Sequence, residues 1–180
     1  MIAVDHRHYR QQLASHGYAL GPVTNTDEEV LLTIFATTRG VMQVVSHKPE
    51  WSPEERLDFV RMQSRFQESA YRGPGYEGAF LDLVRYKGQV VGRLYILRQP
   101  GAQMRLMEIT LLPKFRGQGH GSTLIRTIQA DASHLDTPVI AMVEDDNPAC
   151  SLYTRLGFVP TNHVVSFYRT WQWTPPSQGS

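Results

Sequence analysis

Apolar positions recur along this chain with two different periods, and the change of period divides it. Between residues 26 and 72 the spacing is helical. Thr26-Asp27-Glu28-Glu29 fits a capping box, and Val30, Leu31, Ile34 and Phe35 follow on one stripe, which predicts a first helix ending near Arg39-Gly40. Ser52-Pro53-Glu54-Glu55 is a second start, with a cap, a first-turn proline and acids at the positive dipole end. Leu57, Val60, Arg61, Ser64 and Glu68 then share one side, and Arg72-Gly73-Pro74-Gly75 marks the stop.

From Ala79 the period becomes that of strands. Ala79 to Tyr86 and Gln89 to Leu97 flank Lys87-Gly88, a hairpin signal, and Arg105 to Leu112 is a third run ended by Pro113. Gly119 to Ala132 reads as a helix, Pro138 to Val143 as a short buried strand, Pro148 to Leu156 as a helix stopped by Gly157, and Val164 to Trp173 as a last strand. The predicted order is one strand, two helices, three consecutive strands, then α, β, α, β. That order describes a mixed α/β sheet, mainly antiparallel ahead of a crossover helix. Residues 1–17 are polar and His-rich and are expected to form an N-terminal extension, a helix or an arm. Residues 18–173 are expected to form one domain and 174–180 a frayed tail.

Composition narrows the function. A chain of 180 residues suits one core, and a net charge of +1 argues against a general nucleic-acid binder. Lysine occurs only at 48, 87 and 114, so most of the positive charge is arginine. Cys150 is the single cysteine, which allows no intrachain disulfide. The chain starts without an apolar signal region, and no apolar run approaches the ~20 residues of a membrane span. The expectation is a cytoplasmic protein without membrane contact. His6, His8 and Tyr9 cluster near the start, but beyond Asp5 no ligand spacing supports a metal, and none is expected.

Leu111-Leu112-Pro113-Lys114-Phe115-Arg116-Gly117-Gln118-Gly119-His120-Gly121-Ser122 carries most of the information. A strand runs into a glycine-rich turn and a helix follows at once. The first turn of a helix has unpaired N–H groups and a positive dipole end, and glycines let an anion come close. Arg116 is a candidate for a charge-assisted contact to the same anion. A plain connector has the same appearance. A P-loop would need a lysine before Ser122, and a dinucleotide-binding turn would space its glycines differently from 117, 119 and 121.

Arg116-Gly117-Gln118-Gly119-His120-Gly121 resembles the pyrophosphate-binding signature of the GNAT superfamily of N-acetyltransferases, Gln/Arg-x-x-Gly-x-Gly/Ala. About 26 residues on, Asn147 to Phe158 resembles that family's Asn-x-x-Ala-x-x-x-Tyr-x-x-x-Gly-Phe segment, one residue shorter between Asn147 and Ala149, with Tyr153, Gly157 and Phe158 in place. The likeness covers residues 79 to 170 well and the first helices loosely. It implies a GNAT-like fold, mainly antiparallel with splayed central strands flanked by helices, and acetyl-CoA as cosubstrate without a metal. The backbone from Gly117 through Gln118, Gly119, His120 and Gly121 to Ser122 would hold the pyrophosphate. The main chain at Leu111 and Leu112 would pair with the pantetheine arm, and Asn147 would bond that arm or cap the next helix. Tyr153 would stand near the thioester sulfur as general acid. A homodimer is a further expectation, and the aromatic last strand, with Phe167, Tyr168, Trp171 and Trp173, is either an interface or packed inside.

Amine acylation requires loss of a proton from the amine, a polarised carbonyl and a protonated leaving thiolate. Glu108, three residues before Leu111, is the candidate base; alternation places it with Thr110, opposite Met107 and Ile109. A solvated or arginine-paired carboxylate is the alternative reading. His120 is expected to be a partly exposed residue at the helix start, and Cys150 a small buried one. Gln63, Arg65, Gln67, Trp51 and Arg93 are candidates for acceptor selection, with Arg93 or Arg65 able to pair with a substrate carboxylate. Two other functions stay open: a non-catalytic acyl-CoA-binding regulatory domain, and a phosphate-binding protein of another fold.

Overall fold

A computed structural model describes residues 7–99 and 102–176. The helices are α1 (Arg7–Ser15), α2 (Glu28–Ala36), α3 (Arg39–Ser46), α4 (Pro53–Ala70), α5 (His120–His134) and α6 (Ala149–Arg155). The strands are β1 (Tyr18–Pro22), β2 (Phe80–Tyr86), β3 (Gln89–Gln99), β4 (Gln103–Leu111), β5 (Val139–Glu144), β6 (Val159–Val165) and β7 (Tyr168–Trp173). They form one seven-stranded sheet in the order β1-β2-β3-β4-β5-β7-β6. Every pairing is antiparallel except β4 with β5, which the crossover helix α5 joins in parallel.

Pleating sorts the strand residues between two layers. Val84, Leu94, Ile96, Met104 and Leu106 point into the main core with Leu124, Ile125 and Ile128 of α5 and Leu156 and Phe158 at the end of α6. On the other face, Leu83 packs with Leu31 and Ile34 of α2, while α2, α3 and α4 share Leu32, Phe35, Val41 and Val60. Lys87 and Gly88 both have positive φ, 48° and 80°, the two-residue turn that suits the right-handed twist of a hairpin.

Four sequence expectations shift. The capping box lies two residues earlier, with Thr24 and Asp27 bonded reciprocally around a short 3-10 turn. The first helix stops at Ala36, and α3 follows separately, where Arg39-Gly40 had read as an end. The last strand is a hairpin, because the chain turns at Ser166 (φ 56°) between β6 and β7. The N-terminal segment, in its described part, is a helix built into the core: Tyr9 and Leu13 are buried, and Arg10 forks onto Asp82 at 2.7 and 2.8 Å. His6 and residues 177–180 lie outside the described residues.

Candidate active site

β4 and β5 pair only from Met104 to Leu106 against Val139 to Ala141, and beyond that they separate. The free edge of β4 therefore runs from Met107 to Leu111, with backbone groups available to an added strand-like chain. A cavity of about 190 Å³ opens in the gap, bordered by Met107, Glu108, Met142, Glu144, Asn147 and Tyr153. It adjoins a larger cleft of about 770 Å³, which shares Glu108, Glu144, Asn147 and Tyr168 and adds α3 and α4 residues such as Val44, Phe59 and Gln67.

A bulge decides where Glu108 points. In the β3–β4 ladder Tyr95 faces Glu108 and Ile96 faces Leu106, so Met107 is an extra residue. Before it, the even positions Met104 and Leu106 face the main core; after it, the odd positions Ile109 and Leu111 do. Without the extra residue Glu108 would continue the core-facing set. With it, the carboxylate turns to the α4 side. There it accepts hydrogen bonds from Thr110 Oγ1 and, at 3.3 Å, from Tyr71 OH, and lies 3.5 Å from Arg93 Nη2.

Arg93 is fully buried, with both Nη atoms engaged and Nε unpartnered. It donates to Glu68 Oε1 at 2.8 Å and to Gln67 Oε1 at 2.6 Å, and Tyr95 OH donates to the same Glu68 oxygen at 2.7 Å. Arg72 binds the second Glu68 oxygen at 3.0 Å. Burial and the Glu68 charge drive the Tyr95 hydroxyl far above the ordinary range, and burial and Glu108 do the same to Tyr71. Neither arginine is therefore presented to a substrate carboxylate: Arg93 is enclosed, and Arg65 sits on the surface bound to Glu28 at 2.7 Å. Sequence reading singled out Glu68 and Arg93 separately and missed the pair, as well as Tyr71. The signal was present for Arg93, since a charge inside the apolar run from Val90 to Leu97 needs an opposite partner.

Tyr153 is buried at the edge of the gap, its ring edge-on to Phe158 with centroids 5.2 Å apart. Burial, and then the Glu108 charge, hold its hydroxyl well above the usual tyrosine range, so it is protonated at neutral pH. Asn147 Oδ1 accepts from the N–H of Ala149, the first residue of α6, at 2.9 Å, while its side chain borders the gap. Cys150 donates to the Glu144 carbonyl at 3.4 Å, and burial raises its thiol above the usual value.

The glycine turn leads directly from β4 into α5. Gly117 and Gly119 have φ of 72° and 86°, which side chains disfavour, and nothing within 4 Å would meet a Cβ at either. The N–H groups from Gly117 to Ser122 make no backbone hydrogen bond, whereas that of Thr123 reaches Gly119 O at 3.0 Å. Four members of the motif do other work. Arg116 donates to Leu111 O at 2.8 Å and to Thr37 O at 3.0 Å, tying α2 to the end of β4. A Cβ on Gly121 would lie 3.4 Å from Leu152, so this glycine seats α5 on α6. His120 is buried, not partly exposed: its Nδ1 lies 2.6 Å from Tyr18 OH, and Tyr86 and Phe115 surround the ring. Gln118 folds back to Lys114 O at 2.6 Å.

Among the described residues no group of three or more His, Cys, Asp or Glu side chains is placed to hold a metal, and no helix is long and apolar enough to cross a membrane. Residues 43–158 match the sequence model of a family described as acetyltransferase (GNAT). No curated protein matches the chain. Among solved structures it is similar to the PaiA N-acetyltransferase of Thermoplasma acidophilum in complex with coenzyme A (13% identity, 87% of this chain and 98% of that one, TM-score 0.60). It is also similar to Ard1 of Thermoplasma volcanium (16%, 89% and 99%, TM-score 0.57) and to an acetyltransferase of Thermus thermophilus (18%, 87% and 96%, TM-score 0.61).

Proposed function

Because the chain belongs to the acetyltransferase (GNAT) family, we propose that it transfers an acetyl group from acetyl-CoA to a primary amine by direct attack. The observation that carries this reading is the gap between β4 and β5, bordered by both Glu108 and Tyr153, on the strand whose end leads into the glycine turn with its unpaired N–H groups. Those N–H groups suit the pyrophosphate. The free β4 edge from Met107 to Leu111 suits the amide-bearing arm, and Leu112 lies past it with its N–H donated to Val91 O at 2.9 Å. Glu108 takes the proton of the incoming ammonium, through a water, and the amine nitrogen then bonds the acetyl carbon as the carbon–sulfur bond breaks. The leaving thiolate takes the Tyr153 hydroxyl proton, and the second proton lost from the acylated nitrogen passes through solvent to restore that hydroxyl. A covalent detour through Cys150 is disfavoured, since burial keeps that thiol protonated.

Acetyl-CoA at 100 times its Kd is expected to stabilise the fold by about 2.7 kcal/mol. Gly119→Val places a β-branched side chain at φ 86° and should abolish that gain. No thermal shift, together with no thiol release on any amine, would end the acetyltransferase reading.

The acid has a pH signature. The raised Tyr153 stays protonated well into the alkaline range, so kcat should show no alkaline fall below about pH 10. Tyr153→Phe should lower kcat by about 100-fold without changing acetyl-CoA affinity. Full activity in this variant would assign the proton to another donor.

A further inference from the structure

The acetyl-transfer steps make no use of the His120 side chain, yet it is the one part of the glycine turn that is locked into the fold. Arg116, Gly117, Gln118 and Gly119 are exposed, and a Cβ at Gly117 or Gly119 would meet nothing within 4 Å. His120, the next residue and the first of α5, is buried. Its N–H belongs to the set that has no backbone partner. One residue therefore carries both a donor of the anion turn and a side chain fixed against the sheet.

Three aromatic rings enclose that imidazole, each edge-on. Tyr18 of β1, Tyr86 of β2 and Phe115 have centroids 5.7, 4.8 and 5.9 Å from it. Tyr18 and Tyr86 face each other in the β1–β2 ladder with rings 4.9 Å apart, so two walls of the box belong to the sheet itself. Tyr18 OH lies 2.6 Å from His120 Nδ1, and Tyr18 is itself buried. Two buried polar atoms that satisfy each other hold their elements in register, because separating them leaves both without a partner. Thr123, three residues on, closes the first turn of α5 through its N–H to Gly119 O at 3.0 Å.

From this geometry we infer that Tyr18 and the His120 side chain are positioning residues for the cofactor: they fix the start of α5 so that the N–H groups of the turn stay aimed at the pyrophosphate. The inference rests on the acetyltransferase reading and names what sets its cofactor affinity. Tyr18 lies outside residues 43–158, so this support comes from a part of the chain beyond the family match. Donors held in place before the anion arrives bind it without the cost of ordering a loop.

The test compares two ligands on the whole chain: acetyl-CoA, and S-acetylpantetheine, which has the same arm and thioester and lacks the pyrophosphate. Tyr18→Phe keeps the ring and removes the hydroxyl. It should raise the acetyl-CoA Kd by about tenfold, the worth of one hydrogen bond, and leave the S-acetylpantetheine Kd within about twofold. His120→Phe removes the other half of the contact and should raise the acetyl-CoA Kd similarly. The double variant should be no weaker than either single one, since both act through one bond. An unchanged acetyl-CoA Kd in both single variants would overturn the inference. So would an equal loss for the two ligands, which is what a general loosening of the fold would give, or losses that add in the double variant. A parent chain that binds no acetyl-CoA would bring down the cofactor reading itself, and that outcome is read before any variant is made.

Discussion

Glu108→Gln is expected to lower kcat by about 10²- to 10⁴-fold while leaving acetyl-CoA stabilisation as large as in the parent. The substitution keeps the shape of the side chain and its ability to accept from Thr110 and Tyr71. It removes the negative charge and the capacity to take a proton. Arg93 retains Glu68 and Gln67, so the buried cation is still paired and the fold should lose little. Glu68→Gln separates the two functions of the network. It removes a charge from the Arg93 pair without touching the gap, and should cost stability more than it costs kcat at saturating substrate. Parent-level kcat in Glu108→Gln would mean that the carboxylate serves only to hold Arg93, and that the base is elsewhere. The readouts are single-turnover rates, the acetyl-CoA thermal shift and the denaturant midpoint of each variant.

Gly92→Ala is expected to destabilise the protein by about 3 kcal/mol or more, at the upper end of what overpacking costs. A Cβ at this position would sit 2.1 Å from the Thr110 carbonyl oxygen and 3.0 Å from Leu111 Cα, both backbone. A flexible side chain could give way; a strand held on both edges cannot. Gly92 pairs with Val84 on one side and Leu111 on the other, next to the register shift in the β2–β3 ladder. Relief of the clash would have to push β4 away at Thr110, the residue that donates to Glu108. A loss of midpoint with unchanged cooperativity, and a kcat defect in whatever remains folded, is the expected pair of results. A denaturant midpoint equal to the parent's would show that β4 can move at this point without cost. The same clash explains why a glycine stands inside a strand where its missing side chain otherwise weakens the sheet.

Much of this architecture was legible from the residues alone, because the signals are local. Ser52 and Glu55 bond each other's backbone as a capping box should, and Lys87-Gly88 turns a hairpin because both residues accept positive φ. The glycine turn was legible for the same reason. Gly117 and Gly119 need conformations that few other residues adopt, and the helix start after them follows from the chain itself. The local reading failed where two signals competed within a few residues. Arg39-Gly40 looked like an end, yet it opens α3, whose Val41 is buried against α2 and α4, so tertiary burial outweighed the glycine. Residues 164–173 formed one continuous β-type run, and the turn at Ser166 carried no glycine or proline to announce it.

The sequence by itself determined the order of elements from β2 through α6, the glycine turn and the presence of Glu108 and Tyr153 at fixed distances from it, since each depends on residues close together in the chain. Only the tertiary structure decided what these groups face. The bulge at Met107 turns Glu108 away from the main core, and nothing in the residues of β4 announces it, because the extra residue exists only relative to β3. His120 became a buried partner of Tyr18, 102 positions away, and Arg93 became a closed pair with Glu68, 25 positions away. Contacts at such separations are set by packing two faces of one sheet. The periodicity of either segment says which side is buried, and not which group will be found there.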